Sequence, residues 1–258
     1  MTGGLGQIQI HHPPGTFILT PASHMAIRTI GQYQHLLSGK GIDWGSGTGC
    51  LAIAAAKIEA VQQVVGLEIS EANVTAARLN ARHNDVAGKV AFLLADSYWP
   101  YSEPDRHLLE TFAGQTNFIV ANPPSSEGDD GFEYRRLVLQ GARPYLVKGG
   151  LVFLNISIQY GQTRIERLSQ RIPEFVYGGV LASSDWQPFD LQRSDLLHCL
   201  ECYVEEEQRG GLKYDFLNPV TKDVAARLNA QEAMACFRQT GLSPLTRWQT
   251  HLFRYSIS

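Results

Sequence analysis

The sequence predicts an α/β fold, a parallel sheet with helices on both faces. Three observations carry this reading. From Gly41 onward short apolar runs alternate with helical patterns, the order of successive βαβ units. Gly45-Ser46-Gly47-Thr48-Gly49 joins the first run to an alanine-rich helix, and the apolar run 118–121 closes on Asn122-Pro123-Pro124.

The first 42 residues contain no Asp or Glu, and His11-His12-Pro13-Pro14-Gly15 cannot continue regular structure through paired prolines. Residues 1–40 are therefore read as an arm packed over the site. A core over 41–182 and 248–258 follows. Its strands are expected at 41–44, 63–69, 89–95, 117–121, 151–156, 175–181 and 248–257. Helices are expected at 50–58, at 71–83 behind Ser70 as N-cap, at 132–146 with Gly149-Gly150 as the stop, and at 162–171. The polar stretch before Asn117 has no readable form. Residues 183–247 exceed any ordinary connection, so a helical insertion is expected there, placed to act as a substrate lid. Asn229 with Glu232 three positions on reads as a capping box, and Gly241 as a stop.

A formal charge of −3 and a pI near 6.2 give a field that weakly repels polyphosphates, which ranks nucleic acid below protein or small-molecule partners. Four cysteines in 258 residues are too few for a disulfide framework. With no signal peptide and no apolar stretch of spanning length, a cytoplasmic protein without a membrane partner is expected.

Asp43 ends the first strand, and Gly45, Gly47 and Gly49 leave the backbone free to turn beneath a ligand. A nicotinamide fingerprint wants glycine where this chain has Cys50, so an adenosyl group is favoured over a dinucleotide. Glu68 ends the second strand, where a carboxylate can accept both ribose hydroxyls, and Asp96 ends the third, within reach of an adenine amino group. Ile69, Ser97 and Asn122 complete the expected cofactor contacts. Such a turn alone is also an ordinary tight connection, and strand-end carboxylates are often caps; the three in register make the difference.

An amide or ring-attached amino group is a poor nucleophile because its lone pair is delocalised. The Asn122 side-chain oxygen and the Pro123 carbonyl can each accept one N–H from it, aiming the lone pair at an electrophilic methyl carbon, while Pro124 stiffens the loop. Asn122, Pro123 and Pro124 are therefore the expected catalytic residues, although Asn-Pro also simply begins turns.

The stretches DWGSGTGCLAIAAAK, VVGLEISEANVTAARLNARHN, FLLADSYWP and FIVANPP resemble the class I S-adenosylmethionine-dependent methyltransferases. They are most similar to the branch holding the HemK/PrmC-type glutamine methyltransferases and the small-domain RNA and DNA amino methyltransferases. The resemblance implies a Rossmann-like, seven-stranded, mostly parallel sheet with an antiparallel last strand. It also implies S-adenosylmethionine as cofactor, S-adenosylhomocysteine as product and an amide or amino nitrogen of a protein or small molecule as acceptor. Asp43, Gly45, Gly47 and Gly49 would surround its methionine part, Glu68 its ribose and Asp96 its adenine. RNA or DNA base methylation and a silent cofactor-binding scaffold are the alternatives.

The family usually has an aromatic residue directly after the second proline; here it is Ser125, so Phe132, Tyr134 or Trp186 are candidate platforms. GTFILTPASHMAI resembles the segment that covers the cofactor in that branch, which brings Thr20, Ser23 and His24 toward the site. Trp186, Phe189, Tyr214 and Phe216 are expected to wall a pocket or form a small core of the insertion. His198, Cys199 and Cys202 lack a suitably spaced fourth ligand, Cys236 being distant, so no metal is expected. Glu205-Glu206-Glu207 reads as a solvated helix end, and Arg135 and Arg136 as water-facing on an amphipathic helix.

Overall fold

The computed structural model describes residues 2–124 and 130–256. Its first element is a helix, α1 (Pro21–Gln32), inside the segment read as an arm. Thr20 and Ser23 exchange side-chain and backbone hydrogen bonds in a capping box, and Pro21 occupies the first helical position, where its missing N–H costs nothing. Met25, Ala26 and Ile30 are buried on one face of α1, which packs on the next helix.

The core then runs β1 (Gly39–Trp44), α2 (Cys50–Ala56), β2 (Val61–Glu68), α3 (Glu71–His83) and β3 (Val90–Asp96). The stretch with no readable form holds a two-residue strand, β4 (Trp99–Pro100), and a short helix, α4 (Glu103–Glu110), capped by Ser102. Next come β5 (Thr116–Ala121), α5 (Glu133–Ala142), β6 (Leu146–Ser157), α6 (Gln162–Arg171) and β7 (Phe175–Ser183). The helix expected to reach 146 stops at Ala142, because Pro144 cannot donate to the helical ladder, and Leu146 opens β6 instead.

The segment before the last strand carries β8 (Gln187–Pro188), α7 (Ser194–Gln208), β9 (Phe216–Leu217), β10 (Arg227–Leu228), α8 (Ala230–Thr240) and β11 (Leu245–Thr246). It is more than helical: these two-residue strands pair in the order β10-β9-β11-β8. Its large apolar residues share one buried cluster with the main domain, where Phe189, Tyr203, Tyr214 and Phe216 join Ile156, Tyr160 and Ile165. β12 (Trp248–Tyr255) closes the chain; Ile257, expected to end it, lies outside the described residues.

The main sheet has the order β4-β3-β2-β1-β5-β6-β12-β7. Its eighth strand, beyond the seven expected, is β4, a hairpin addition antiparallel to β3. β3, β2, β1, β5 and β6 run parallel, and β12 runs antiparallel between β6 and β7. Central strands covered on both faces explain the near-continuous apolar runs, with Ile42, Val64, Val65 and Ile119 fully buried. The chain winds outward from β1 through β3, then returns to the opposite side at β5. The crevice between the carboxyl ends of β1 and β5 is therefore the switch point where open α/β sheets bind ligands.

Candidate active site

The loop after β1 turns on Gly45, Gly47 and Gly49, with φ of 68°, 54° and 90°. At this sign only glycine is free of a Cβ penalty. A Cβ on Gly45 would meet nothing within 4 Å, since it would point into the cavity described below. One on Gly49 would lie 2.7 Å from the Phe92 ring and 3.1 Å from Ala77, so that position serves the packing of α2 on its neighbours. Gly49 is the N-cap of α2 and has no side chain to cap with. Asp43 substitutes for it: its Oδ2 accepts the Ala52 N–H at 2.8 Å.

Asp43 thus caps α2 and Gly49 packs on Phe92 and Ala77, beneath the loop whose Gly45 and Gly47 line the cavity. Burial pushes the Asp43 carboxyl up to about 8; the Ala52 hydrogen bond opposes this and the charge of Glu68 adds to it. A carboxyl raised from 3.8 in the unfolded chain stabilises the fold fully below that value and loses the contribution as pH rises through about 8. Asp43→Asn is therefore expected to gain stability relative to the parent between pH 5 and 9, by several kcal/mol at the alkaline end. Urea denaturation at each pH checks this, and a difference that does not change with pH would refute it.

Glu68 is buried, with Oε2 accepting Gly47 N–H at 2.7 Å and Oε1 accepting Ser70 N–H at 2.8 Å and Asn73 Nδ2 at 3.3 Å. A carboxylate has about four lone-pair sites, so it retains capacity for a ligand hydroxyl. Asp96 is exposed, and Ser97 Oγ accepts Trp44 Nε1–H at 2.9 Å. Gly45, Gly47, Glu68, Ile69, Asp96 and Ser97 all line one cavity.

Residues 9–17 cross α3 and are held by its asparagines. Asn84 exchanges two hydrogen bonds with the Gln9 backbone, Asn80 exchanges two with His11, and Asn73 Oδ1 accepts Phe17 N–H at 2.8 Å. Asn80, fully buried, also donates to Thr48 O at 3.0 Å, tying the strap to the glycine loop. Phe17, Thr20 and Ser23 line the cavity; His24 is exposed and does not. Asn80→Ala strands buried groups at about 1–3 kcal/mol each. Limited proteolysis within 9–17 is expected to accelerate at least tenfold, and an unchanged rate would show that the asparagine does not hold the strap.

Asn122, Pro123 and Pro124 line the same cavity from the end of β5. Asn122 Oδ1 accepts from Asn155 Nδ2 at 3.1 Å. Pro123 O accepts from Arg135 Nη2 at 3.3 Å, and Pro124 O from Arg135 Nη1 at 3.0 Å. Arg135 is thus not water-facing. It is buried with its guanidinium 5.0 Å from the Tyr160 ring, while Arg136 pairs with Asp130 and Glu133. Sequence reasoning missed Asn155, whose signal is a polar residue inside the apolar run 151–156. Of the candidate platforms, Tyr134 lines the cavity beside Trp44. Phe132 is buried against Tyr160, and Trp186 lies between the guanidinium groups of Arg227 and Arg247. Ser125 lies outside the described residues.

The cavity holds about 790 Å³ and continues past Asn122 to Gln159, Phe189, Leu196, Tyr203 and Thr246. That is within the range of about 300–1,000 Å³ for pockets enclosing drug-sized ligands. Of the residues read as pocket wall or core, Phe189 lines the cavity, and Tyr214 and Phe216 are core. His198 Nε2 and Cys202 Sγ are 3.7 Å apart on one exposed face of α7, and among the described residues no three His, Cys, Asp or Glu converge to hold a metal. Nor is any helix among them long and apolar enough to cross a membrane.

The model of the methyltransferase small domain family matches residues 7–174, more than half of the chain. The chain belongs to that family. It is 28% identical over 174 residues to the release factor glutamine methyltransferase of Thermodesulfovibrio yellowstonii, covering 58% of each protein. A shorter match, 46% over 55 residues, relates 21% of it to 18% of the ribosomal protein L11 methyltransferase of Shewanella baltica. The chain spans about half the length of the curated release factor methyltransferases it matches. Among solved structures, the YcgJ protein of Bacillus subtilis superposes with a TM-score of 0.53 at 10% identity, over 89% of this chain and 99% of that one. The likeness shows a shared fold. Family membership implies a methyl donor, and the match spans both the glycine loop and Asn122-Pro123-Pro124.

Proposed function

We propose that the protein transfers a methyl group from S-adenosylmethionine to an amide or amino nitrogen of a protein or small-molecule acceptor. The observation that carries this reading is one cavity, at the switch point of the sheet, lined by the glycine loop on one side and by Asn122-Pro123-Pro124 on the other. The residues present fit a nucleoside with a charged amino-acid tail. The space above Gly45 is open, Ser46 Oγ is buried without a partner among the described residues, and Glu68 keeps acceptor capacity for one ribose hydroxyl. The names of the curated relatives, both protein methyltransferases, support a protein acceptor.

When bound, the cofactor supplies an electrophilic methyl group on a sulfonium centre. Glu68, Ile69, Asp96 and Ser97 orient its nucleoside. Asn122 Oδ1 and Pro123 O accept the two hydrogens of an NH₂ group, which turns the nitrogen lone pair toward the methyl carbon and accommodates the positive charge that develops on nitrogen. Holding the two partners at attack distance supplies much of the rate; the S–CH₃ bond would break as N–CH₃ forms, S-adenosylhomocysteine would leave, and the methylated nitrogen would then release its proton to solvent, so no strong base is required there. Phe17 of the strap and Phe189, Leu196 and Tyr203 of the segment 183–247 line the cavity, and in this reading that segment is the acceptor-side lid.

Incubation with tritiated S-adenosylmethionine and fractionated cell extract tests the proposal. Label is expected in protein or in small metabolites. Label in RNA or DNA would transfer the reading to base methylation. Donor binding by calorimetry without any labelling would leave a cofactor-binding scaffold, and absence of donor binding would end the proposal.

A further inference from the structure

We infer that Asn155 is a positioning residue that decides which atom of Asn122 meets the acceptor nitrogen. The inference rests on methyl transfer at Asn122 as proposed above. Ala22 O, in the first turn of α1, can only accept hydrogen bonds. Asn155 Nδ2 lies 3.3 Å from it, and Asn155 Oδ1 accepts from Thr250 Oγ1 at 2.7 Å. Reversing the Asn155 amide would set its oxygen against the Ala22 carbonyl, so the orientation is dictated by the backbone of α1. The other hydrogen of Nδ2 then faces Asn122, 3.1 Å away. Only oxygen satisfies it, because a reversed Asn122 would oppose two NH₂ groups.

Asn155 is 2% exposed, and its Nδ2 hydrogens go to Ala22 O and Asn122 Oδ1. One lone pair of Asn122 Oδ1 is committed to Asn155 and the second is left for an acceptor N–H. Arg135 does the same for the other half of the clamp, binding Pro123 O from a guanidinium that also holds Pro124 O and Gly131 O. Asn155 touches neither reactant in this scheme. It acts through Asn122, and this separates it from a residue that merely fills space between β5 and β12.

The test uses the full chain, tritiated S-adenosylmethionine and the extract fraction that accepts label. Asn155→Ala is expected to lower turnover about 10- to 100-fold while the calorimetric affinity for S-adenosylmethionine stays within threefold. The same substitution is then made beside Asn122→Asp, whose carboxylate offers oxygen in either orientation. There Asn155→Ala is expected to cost less than threefold. Unchanged turnover in the single variant, or an equal loss in both backgrounds, would overturn the inference.

Should Asn122→Asp be inactive, Asn155→Asp decides. It is nearly isosteric with asparagine but reverses the polarity facing Asn122, so turnover should fall below that of Asn155→Ala; equal or higher turnover overturns the inference. A parent protein that binds no donor and labels nothing would instead remove the proposed function.

Discussion

Asn122→Ala is expected to lower methyl transfer about 10²–10³-fold, the range seen when one preorganised hydrogen-bonding group is deleted at a reacting centre. The loss belongs in turnover. Asn122 sits at the end of β5, across the cavity from Glu68 and the glycine loop, so affinity for S-adenosylmethionine should change by no more than a few fold. The fold should also survive, because Asn155 Nδ2 keeps its bond to Ala22 O when Asn122 Oδ1 is removed. Single-turnover labelling with the donor in excess separates the two quantities. A variant that labels at the parent rate would show that the proline loop is an ordinary strand-to-helix turn.

The second large effect concerns how the segment 183–247 is fastened to the core. Arg164, on α6, is 2% exposed. Its Nη1 donates to Tyr160 O at 3.0 Å and Lys213 O at 2.8 Å, and its Nη2 to Glu206 Oε1 at 2.7 Å and Leu212 O at 2.7 Å. The guanidinium lies 4.0 Å from the Tyr214 ring, whose hydroxyl donates to Glu206; burial, and then that hydrogen bond, push the phenol pKa up. Arg164→Met would leave the half-buried Glu206 carboxylate without its cation and the carbonyls of Tyr160, Leu212 and Lys213 without this donor.

Losing the charge-assisted bond to Glu206 and the buried bond to Tyr160 O together costs about 3–5 kcal/mol. For a chain of this size that corresponds to a melting temperature lower by roughly 10 °C. Hydrogen exchange should show the loss first in α7 and the turn after it. A melting temperature within 2 °C of the parent would mean that the apolar cluster around Tyr203 and Phe216 alone holds the segment.

Much of the architecture is legible in the sequence. The order of strands and helices, the glycine turn and the proline clamp all rest on constraints local to the chain. Positive φ at Gly45 and Gly47 demands glycine, Pro123 and Pro124 end a strand, and burial on both faces demands apolar runs. The antiparallel last strand came from resemblance and stands in the sheet. Short or polar elements were less legible. α1 was hidden behind the prolines of the arm, although Thr20-Pro21 is a capping signal. α4 carries too few apolar residues for periodicity to register, with Leu109 its one buried position.

The triplet Glu205-Glu206-Glu207 shows where local reading stops. As text it is a charge run at a helix end. In the fold Glu205 alone keeps the expected exposure, paired with Arg209. Glu206 meets Arg164 from 42 positions away, and Glu207 accepts from Tyr214, Ala230 and Gln231, capping α8. Arg135, likewise read as water-facing, is buried against the clamp.

The chain's own order of residues thus fixes a mostly parallel sheet, a glycine turn and a proline loop at the end of β5, because backbone geometry and apolar periodicity are settled among neighbours. The orientation of Asn122, the capping role of Asp43, the close packing at Gly49 and the anchoring of 183–247 came from folding. Each depends on satisfying a buried polar group or filling a space with a partner remote in the chain, such as Ala22 for Asn155, 133 positions earlier.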